Sequence, residues 1–158
     1  MNKTFKDFNL KPFLNEALTE IDFKTPTEVQ QRLIPVIKKG KSVVGQSQTG
    51  SGKTHTFLLP IFNAIDPAIH EVQAVITTPS RELAYQIYGA AKQLAKHSET
   101  EILVQNYVGG TDKLRQIEKL KHHQPQIVIG TPGRILDLMR SNALDVHNAH
   151  YLVVDDAD

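Results

Sequence analysis

Short apolar runs rich in Val and Ile alternate with amphipathic stretches along most of the chain. Runs of about four to eight such residues, bounded by polar segments, are typical of strands buried on both faces. Five runs fit this description: residues 42–45, 72–77, 102–107, 126–129 and 151–154. We therefore predict five buried strands.

The segments between these runs carry apolar residues at helical spacing. One apolar face is predicted in each of two stretches: Leu83, Ile87, Tyr88, Ala91, Leu94 and Ala95 within residues 81–96, and Leu114, Ile117 and Leu120 in the next. Thr131 followed by Pro132 is typical of an N-cap and a first-turn proline, which predicts a helix to about residue 140. Strands separated by helices favour a mostly parallel α/β sheet with right-handed crossovers.

Residues 1–40 precede the first strand and contain two further helical patterns. The first is built on Leu14, Ala17, Leu18 and Ile21, and the second begins at Thr25-Pro26. We predict an N-terminal extension over residues 1–40, which covers a face or an edge of the sheet, and a sheet domain over residues 41–158.

The composition of the chain excludes several kinds of protein and of binding site. The 158 residues include 18 Lys and Arg, 17 Asp and Glu, and no cysteine, so any basic surface is local and disulfide or thiolate-metal sites are excluded. The apolar run at residues 57–62 is far shorter than the roughly 18 residues of a membrane helix, and the first ten residues lack a signal-peptide core. We expect a soluble, cytoplasmic protein without a membrane partner. The seven histidines show no metal-ligand spacing, and His122 and His123 are expected in a loop.

Residues 47–54 read SQTGSGKT, between a buried strand and an apolar helical pattern. This context is typical of a phosphate-binding loop. Gly50 and Gly52 allow backbone N–H groups to turn toward phosphate oxygens, and the following helix N-terminus adds partial positive charge. Lys53 supplies a charge at the β- and γ-phosphates, while the Thr54 hydroxyl can bind Mg²⁺. Ser47 departs from the general pattern, which has glycine there.

A phosphate loop needs an acidic partner for its magnesium ion. The apolar run at residues 151–154 ends in Asp155 and Asp156. Asp155 is the candidate Mg²⁺ anchor, and Asp156 is placed to orient or deprotonate a water molecule. Taken alone, carboxylates at a strand end would be ordinary solvated groups. The phosphate loop makes the functional interpretation the better one.

Six motifs in order make the sequence resemble the DEAD-box RNA helicases, of the bacterial kind linked to cold shock. They are DFKTPTEVQ at residues 22–30 (the Q motif, with Phe5 upstream), SQTGSGKT at 47–54 (motif I), PSRELAYQ at 79–86 (motif Ia), the Gly109-Gly110 pair, TPGR at 131–134 (motif Ib) and DDAD at 155–158 (motif II). Motif I of this family usually begins with Ala, which accounts for Ser47. The resemblance implies a RecA-like phosphate-loop NTPase fold.

The resemblance also implies roles for individual residues. Gln30 would bond the adenine edge and Phe23 would stack on the ring. The implied ATP-binding set is Phe5, Phe23, Gln30, Ser47, Gln48, Thr49, Gly50, Ser51, Gly52, Lys53 and Thr54; the implied catalytic set is Lys53, Asp155 and Asp156; and Mg²⁺ would bind Thr54 and Asp155. The implied RNA-binding set is Pro79, Arg81, Gly109, Gly110, Thr131 and Arg134. Such residues contact phosphate and sugar, which implies sequence-independent binding.

Without the resemblance, the two arginines have an ordinary interpretation. Arg81 and Arg134 would be solvated surface cations, or ion-pair partners of Glu82 and Asp137.

The family's motif II has Glu where this chain has Asp156. Asp retains the charge but withdraws the carboxylate by about a bond length, and errors near 1 Å can cost on the order of 100-fold in rate. We hypothesise that hydrolysis is weakened while ATP and Mg²⁺ binding persist.

The sequence ends within motif II, so the family's motif III and second RecA-like domain with its arginine finger are absent from this chain. In related folds the strand before motif III lies between the strands at 42–45 and 151–154. We therefore expect this chain to lack a central strand, which would leave unpaired backbone groups and an open apolar slot. Two explanations compete: the sequence is an excerpt of a longer protein, which we favour, or it folds with an altered sheet.

The resemblance implies an ATP-dependent RNA helicase, of which this chain is the N-terminal part and by itself inactive in unwinding. Two alternatives stay open. One is a non-catalytic, ATP-gated RNA-binding clamp, which Asp156 favours. The other is a phosphate-loop ATPase that acts on another substrate, against which the Q motif argues.

Overall fold

The structure is a computed structural model that describes residues 43–46, 53–147, 149 and 151–156. The N-terminal helices predicted within residues 1–40 lie outside the described residues. The described elements are β1 (Val43–Gln46), α1 (Lys53–Ala64), β2 (Ala74–Thr77), α2 (Arg81–Ala95), β3 (Val104–Tyr107), α3 (Lys113–His122), β4 (Ile127–Gly130), α4 (Pro132–Arg140) and β5 (Tyr151–Asp156).

The five strands form one parallel sheet in the order β1-β5-β2-β4-β3. Each predicted strand is observed, although every one begins or ends one or two residues away from its predicted bounds. Helices separate the successive strands, as parallel pairing requires. The predicted α/β class is confirmed.

The expected open slot beside β5 is absent. β1 pairs directly with β5, with Val43 opposite Val153 and Gln46 opposite Asp156. An open slot would leave the backbone N–H and C=O groups of both strands without partners, and direct pairing satisfies them. The sheet is therefore continuous from β1 to β3.

Two apolar clusters bury the two faces of the sheet. One joins Phe62 of α1 and Ile87 of α2 to Ile76 of β2. The other joins Leu120 of α3 and Leu138 of α4 to the opposite face of the sheet. Because successive strand residues point to opposite faces, strands buried on both sides are apolar at nearly every position, as in the Ile127–Gly130 strand.

Helix α3 differs from its predicted pattern. Leu120 is buried, but Leu114, which was expected on the same face, is 78% exposed. Leu114 lies in the first turn, where Asp112 caps the helix by accepting a hydrogen bond from the Arg115 N–H at 3.1 Å. His122 is the last helical residue and not part of a loop. No helix in the described part of the chain is long and apolar enough to cross a membrane.

Candidate nucleic-acid interface

The carboxyl ends of β2, β3 and β4 lie at one edge of the sheet, because the strands are parallel. The six residues predicted to bind RNA lie in the loops that follow these strands or in the first turn of the helix after each loop. An open depression of about 580 Å³ at this edge is lined by five of them: Pro79, Arg81, Gly109, Thr131 and Arg134. The topology thus brings together residues that are separated by up to about a third of the chain in sequence.

Arg81 lies directly against the Gly109-Gly110 pair. It opens helix α2, whose N-cap Ser80 accepts a hydrogen bond from the Leu83 N–H at 3.1 Å. A Cβ atom at Gly109 would lie 3.2 Å from Arg81 Nη2, and one at Gly110 would lie 2.7 Å from Nη1. Gly110 also has a φ of 83°, which favours glycine. Any side chain at Gly110 would therefore strain the backbone and displace the guanidinium group.

Thr131 joins the loops after β3 and β4. It occupies the N-cap position of α4 but makes no side-chain cap bond. Its hydroxyl instead accepts a hydrogen bond from the Gly109 N–H at 3.3 Å, and its own N–H donates to the Tyr107 carbonyl at 3.0 Å. The two loops are therefore held in one arrangement.

The close approach of β3 and β4 requires a glycine where β4 ends. A Cβ atom at Gly130 would collide with the Tyr107 carbonyl oxygen. The Tyr107 ring is buried, and this burial raises the pKa of its phenol above the usual range.

Arg134 braces the loop after β3. Its Nη1 lies within hydrogen-bond distance of Gln116 Oε1 at 2.8 Å, the Thr111 carbonyl at 3.1 Å and Thr111 Oγ1 at 3.3 Å. Thr111 in turn donates its hydroxyl to the Val108 carbonyl at 2.6 Å, while Gln116 Nε2 donates to Thr111 Oγ1 at 2.8 Å. The guanidinium group therefore ties α4 to the loop that carries the glycine pair.

Arg134 does not fit the ordinary interpretation, because its guanidinium group bonds Thr111 and Gln116 while Asp137 pairs with Lys113 at 2.9 Å. In the described residues, Arg81 forms no salt bridge with Glu82 either. With the Asp137 charge paired, the two guanidinium groups leave the depression basic. A basic depression next to glycine N–H groups suits phosphate oxygens.

Sequence reasoning missed Thr111 and Gln116. Both follow the glycine pair within two helical turns, but a polar residue at the start of a helix carries no signal of a distant arginine partner. Only the packing of α4 beside α3 brings Arg134 within reach of them.

The predicted ATP site is described only through its flanking backbone. β1 ends at Gln46 and α1 begins at Lys53, on either side of the predicted phosphate loop. Asp155 and Asp156 lie at the carboxyl end of β5, opposite Gly45 and Gln46. The register therefore places the end of the strand before the predicted phosphate loop next to the start of motif II, at the same edge of the sheet.

The other members of the predicted ATP-binding set fall outside the described residues: Phe5, Phe23, Gln30, Ser47, Gln48, Thr49, Gly50, Ser51 and Gly52. Asp158 and Ala157 lie outside them as well. In the part of the chain that is described, no group of three or more His, Asp or Glu side chains could share a metal ion.

A protein-family model described as DEAD/DEAH box helicase matches residues 27–158, which is most of the sequence. The chain belongs to this family. The predicted family membership and RecA-like fold are thereby confirmed, while the roles of individual DEAD-box motif residues in this chain remain predictions.

Curated DEAD-box relatives match nearly the whole chain. The DEAD-box ATP-dependent RNA helicase CshB of Listeria monocytogenes is 59% identical over 154 residues, which cover 98% of this chain and 35% of that protein. CshB of Bacillus subtilis is 52% identical over 155 residues, with 98% and 35% covered. The chain therefore spans about 35% of the length of these DEAD-box relatives.

Solved DEAD-box structures share the fold. A DEAD box protein from the hyperthermophile Methanococcus jannaschii has a TM-score of 0.85 and 31% identity, covering 98% of this chain and 42% of that one. Saccharomyces cerevisiae Dbp5 bound to RNA and ADP BeF3 has a TM-score of 0.80 and 29% identity, covering 96% and 38%.

Proposed function

We propose that this chain is the ATP- and RNA-binding N-terminal part of an ATP-dependent RNA helicase. The cluster of Arg81, the glycine pair, Thr131 and Arg134 at one sheet edge carries the proposal. Family membership supports it, as does the structural likeness to Dbp5 in its RNA-bound form. Cytoplasmic location is part of the proposal.

The RNA backbone would cross the edge formed by the loops after β2, β3 and β4. Arg81 would exchange its contact with the glycine pair for a charge-assisted bond to a phosphate. Gly109 and Gly110 allow a strand to approach the main chain closely because they have no side chains. These contacts address phosphate and sugar, so binding would be independent of base sequence.

ATP would bind at residues 47–54, with Lys53 at its phosphates and Gln30 and Phe23 at its adenine. The hydroxyl of Thr54 and the carboxylate of Asp155 are oxygen donors of the kind that Mg²⁺ prefers. Asp155 lies opposite Gly45 near the end of β1, and Thr54 lies in the first turn of α1. A bound Mg²⁺ would neutralise phosphate charge. Asp156 would orient or deprotonate the attacking water. Unwinding would require a second RecA-like domain, closing on the same ATP and RNA.

The proposal is tested on Arg81, the cation nearest the glycine pair. We expect Arg81→Ala to weaken binding of a single-stranded RNA about tenfold, since a charged hydrogen bond contributes roughly 1.5–3 kcal/mol. Fluorescence anisotropy with labelled RNA measures this affinity. Arg140→Ala is the matched control, because Arg140 is exposed in the last turn of α4, at the far end from the depression. Equal affinities of the two variants would contradict the proposal.

The second candidate function is a non-catalytic, ATP-gated RNA clamp, which Asp156 favours. A clamp would bind RNA with ATP and turn over slowly. Single-turnover ATP hydrolysis by the full-length protein distinguishes the two functions. If Asp156 slows an otherwise complete site, Asp156→Glu should raise the rate by up to about 100-fold. An unchanged rate would contradict the hypothesis that the shorter carboxylate limits hydrolysis.

A further inference from the structure

A groove of about 860 Å³ runs between helix α3 and the outer edge of β3, separate from the depression at the carboxyl ends of the strands. β3 is the terminal strand of the described sheet. The groove is lined on one side by strand residues, including Gln105 and Asn106, and on the other by Arg115, Lys119 and His122 of α3.

The edge of β3 presents backbone groups that no described strand pairs. The carbonyls of Leu103 and Tyr107 accept hydrogen bonds from β4 and the residues flanking it, at 3.0 Å from the Gln126 and Thr131 N–H groups. Alternate residues of a strand direct their N–H and C=O groups to opposite sides, so Val104 and Asn106 direct theirs to the free edge. The Asn106 side-chain amide is also buried without a hydrogen-bond partner among the described residues. A free edge of this kind is a template for a further strand.

The helix side of the groove is basic. Arg115 and Lys119 lie one turn apart and form no salt bridge within the described part of the chain, and His122 continues the same side. Asp112 is the acidic residue of the lining, and its carboxylate caps the helix by accepting from the Arg115 N–H. Glu118 contacts Lys121 and His122, both at 3.5 Å, and does not line the groove.

We propose that this groove binds an extended peptide segment of a protein partner, with carboxylates at alternate positions, as an additional strand on β3. Backbone bonds to Val104 and Asn106 would fix the segment, as in other cases of strand addition. Its alternate side chains would be about 6.7 Å apart, close to the roughly 6.0 Å rise between Arg115 and Lys119. Two successive carboxylates could therefore meet both cations.

The other possible occupants fit less well. In a second copy of this chain paired edge to edge, the two basic α3 helices would face each other and repel. RNA phosphates could contact Arg115 and Lys119, but RNA has no regular row of amide groups to pair with Val104 and Asn106. The proposal does not depend on RNA binding at the strand ends.

The experiment measures the anisotropy of a labelled peptide of about eight residues with Glu at alternate positions and Thr or Val between them. We expect the protein to bind it more tightly than a peptide of the same composition with its Glu residues in one block. Lys119→Glu should weaken binding about fivefold or more, because an attraction becomes a repulsion. Lys121→Glu is the matched control, since it makes the same change on the same helix outside the groove. Its affinity should stay that of the unaltered protein.

Asn106→Pro tests the strand edge separately. Proline removes the N–H that faces the free edge, where proline is tolerated in a strand. We expect loss of peptide binding with unchanged single-stranded RNA binding. If this variant does not fold, the peptide affinities of the Lys119→Glu and Lys121→Glu variants test the proposal without it.

Five results would overturn the proposal. Three concern the peptide: no binding of the alternating peptide, equal affinity for the block peptide, or equal losses of peptide binding in the two lysine variants. The fourth, a Lys119→Glu variant that weakens RNA binding and not peptide binding, would make the groove an RNA site. The fifth, concentration-dependent dimers abolished by Asn106→Pro, would assign the edge to a second copy. Failure of RNA binding in Arg81→Ala leaves the peptide measurement unaffected, so the two proposals fail independently.

Discussion

Two independent physical constraints require glycine at position 110. Its φ of 83° is strained for other residues, and the space where a Cβ would lie is occupied by the Arg81 guanidinium group. Gly109 has only the second reason, with a longer contact of 3.2 Å. Gly110 is therefore required by its backbone conformation and by the space that Arg81 occupies, and Gly109 by that space alone. The Gly-Gly motif in the sequence does not separate these two reasons.

We predict that Gly110→Ala destabilises the protein by about 1 kcal/mol and weakens RNA binding, because the new methyl group strains the backbone and displaces Arg81. Gly89→Ala is the control: Gly89 lies in the middle of α2 with open space around its Cβ position. That variant should gain roughly 0.5–1 kcal/mol and bind RNA normally. Denaturant unfolding and RNA anisotropy measure both effects. Stabilisation by Gly110→Ala would show that neither constraint operates.

The candidate RNA-binding residues lie at the ends of the strands and helices. The loops after β3 and β4 lie at one edge of the sheet, and hydrogen bonds of the Thr131 hydroxyl and the Arg134 guanidinium group hold them together. Arg134 therefore has a positioning role in the structure described here, in addition to any contact with RNA. A residue that holds Arg134 and touches no RNA should then affect RNA binding.

Gln116 is such a residue, since its Oε1 accepts from Arg134 Nη1 at 2.8 Å. We predict that Gln116→Ala weakens RNA binding about threefold, because the loop loses a charge-assisted bond of roughly 1 kcal/mol or more. Gln86→Ala serves as a control, being an exposed amide on α2 that does not line the depression. RNA anisotropy is the readout. If Gln116→Ala and Gln86→Ala bind RNA equally well, the brace does not position the site.

The elements themselves could be predicted well from the sequence. Buried Val and Ile runs identify strands, because a parallel sheet covered on both faces needs apolar residues at every position. Leu114 was misplaced because helical spacing alone does not tell which residue of the first turn faces the sheet. The brace formed by Thr111, Gln116 and Arg134 could not be predicted, since it depends on the packing of two helices against the same sheet face.

At the scale of the molecule, the described residues present two basic surfaces although the net charge of the full sequence is only +1. One lies at the carboxyl edge of the strands and the other along the outer edge of β3. Strand order determines this separation, because β3 ends the described sheet and exposes an edge as well as a loop. The sequence motifs predicted the first surface, whereas the second depends on which strand is outermost, which no local pattern encodes.

The direct pairing of the first and last strands is the altered sheet, the less favoured of the two expectations. The strand order of related folds predicted a slot between the first and last strands, but β1 and β5 pair directly over four residues. Backbone groups form hydrogen bonds with whatever strand is beside them, and a family pattern does not include that preference.

RNA-dependent ATP hydrolysis tests the helicase proposal most directly. The full-length protein should hydrolyse ATP faster with single-stranded RNA than with DNA of the same sequence, and Arg81→Ala should reduce this stimulation. The chain of 158 residues alone should show little RNA-stimulated hydrolysis. Equal stimulation of the full-length protein by RNA and DNA, or strong RNA-stimulated hydrolysis by the 158-residue chain alone, would contradict the proposed function.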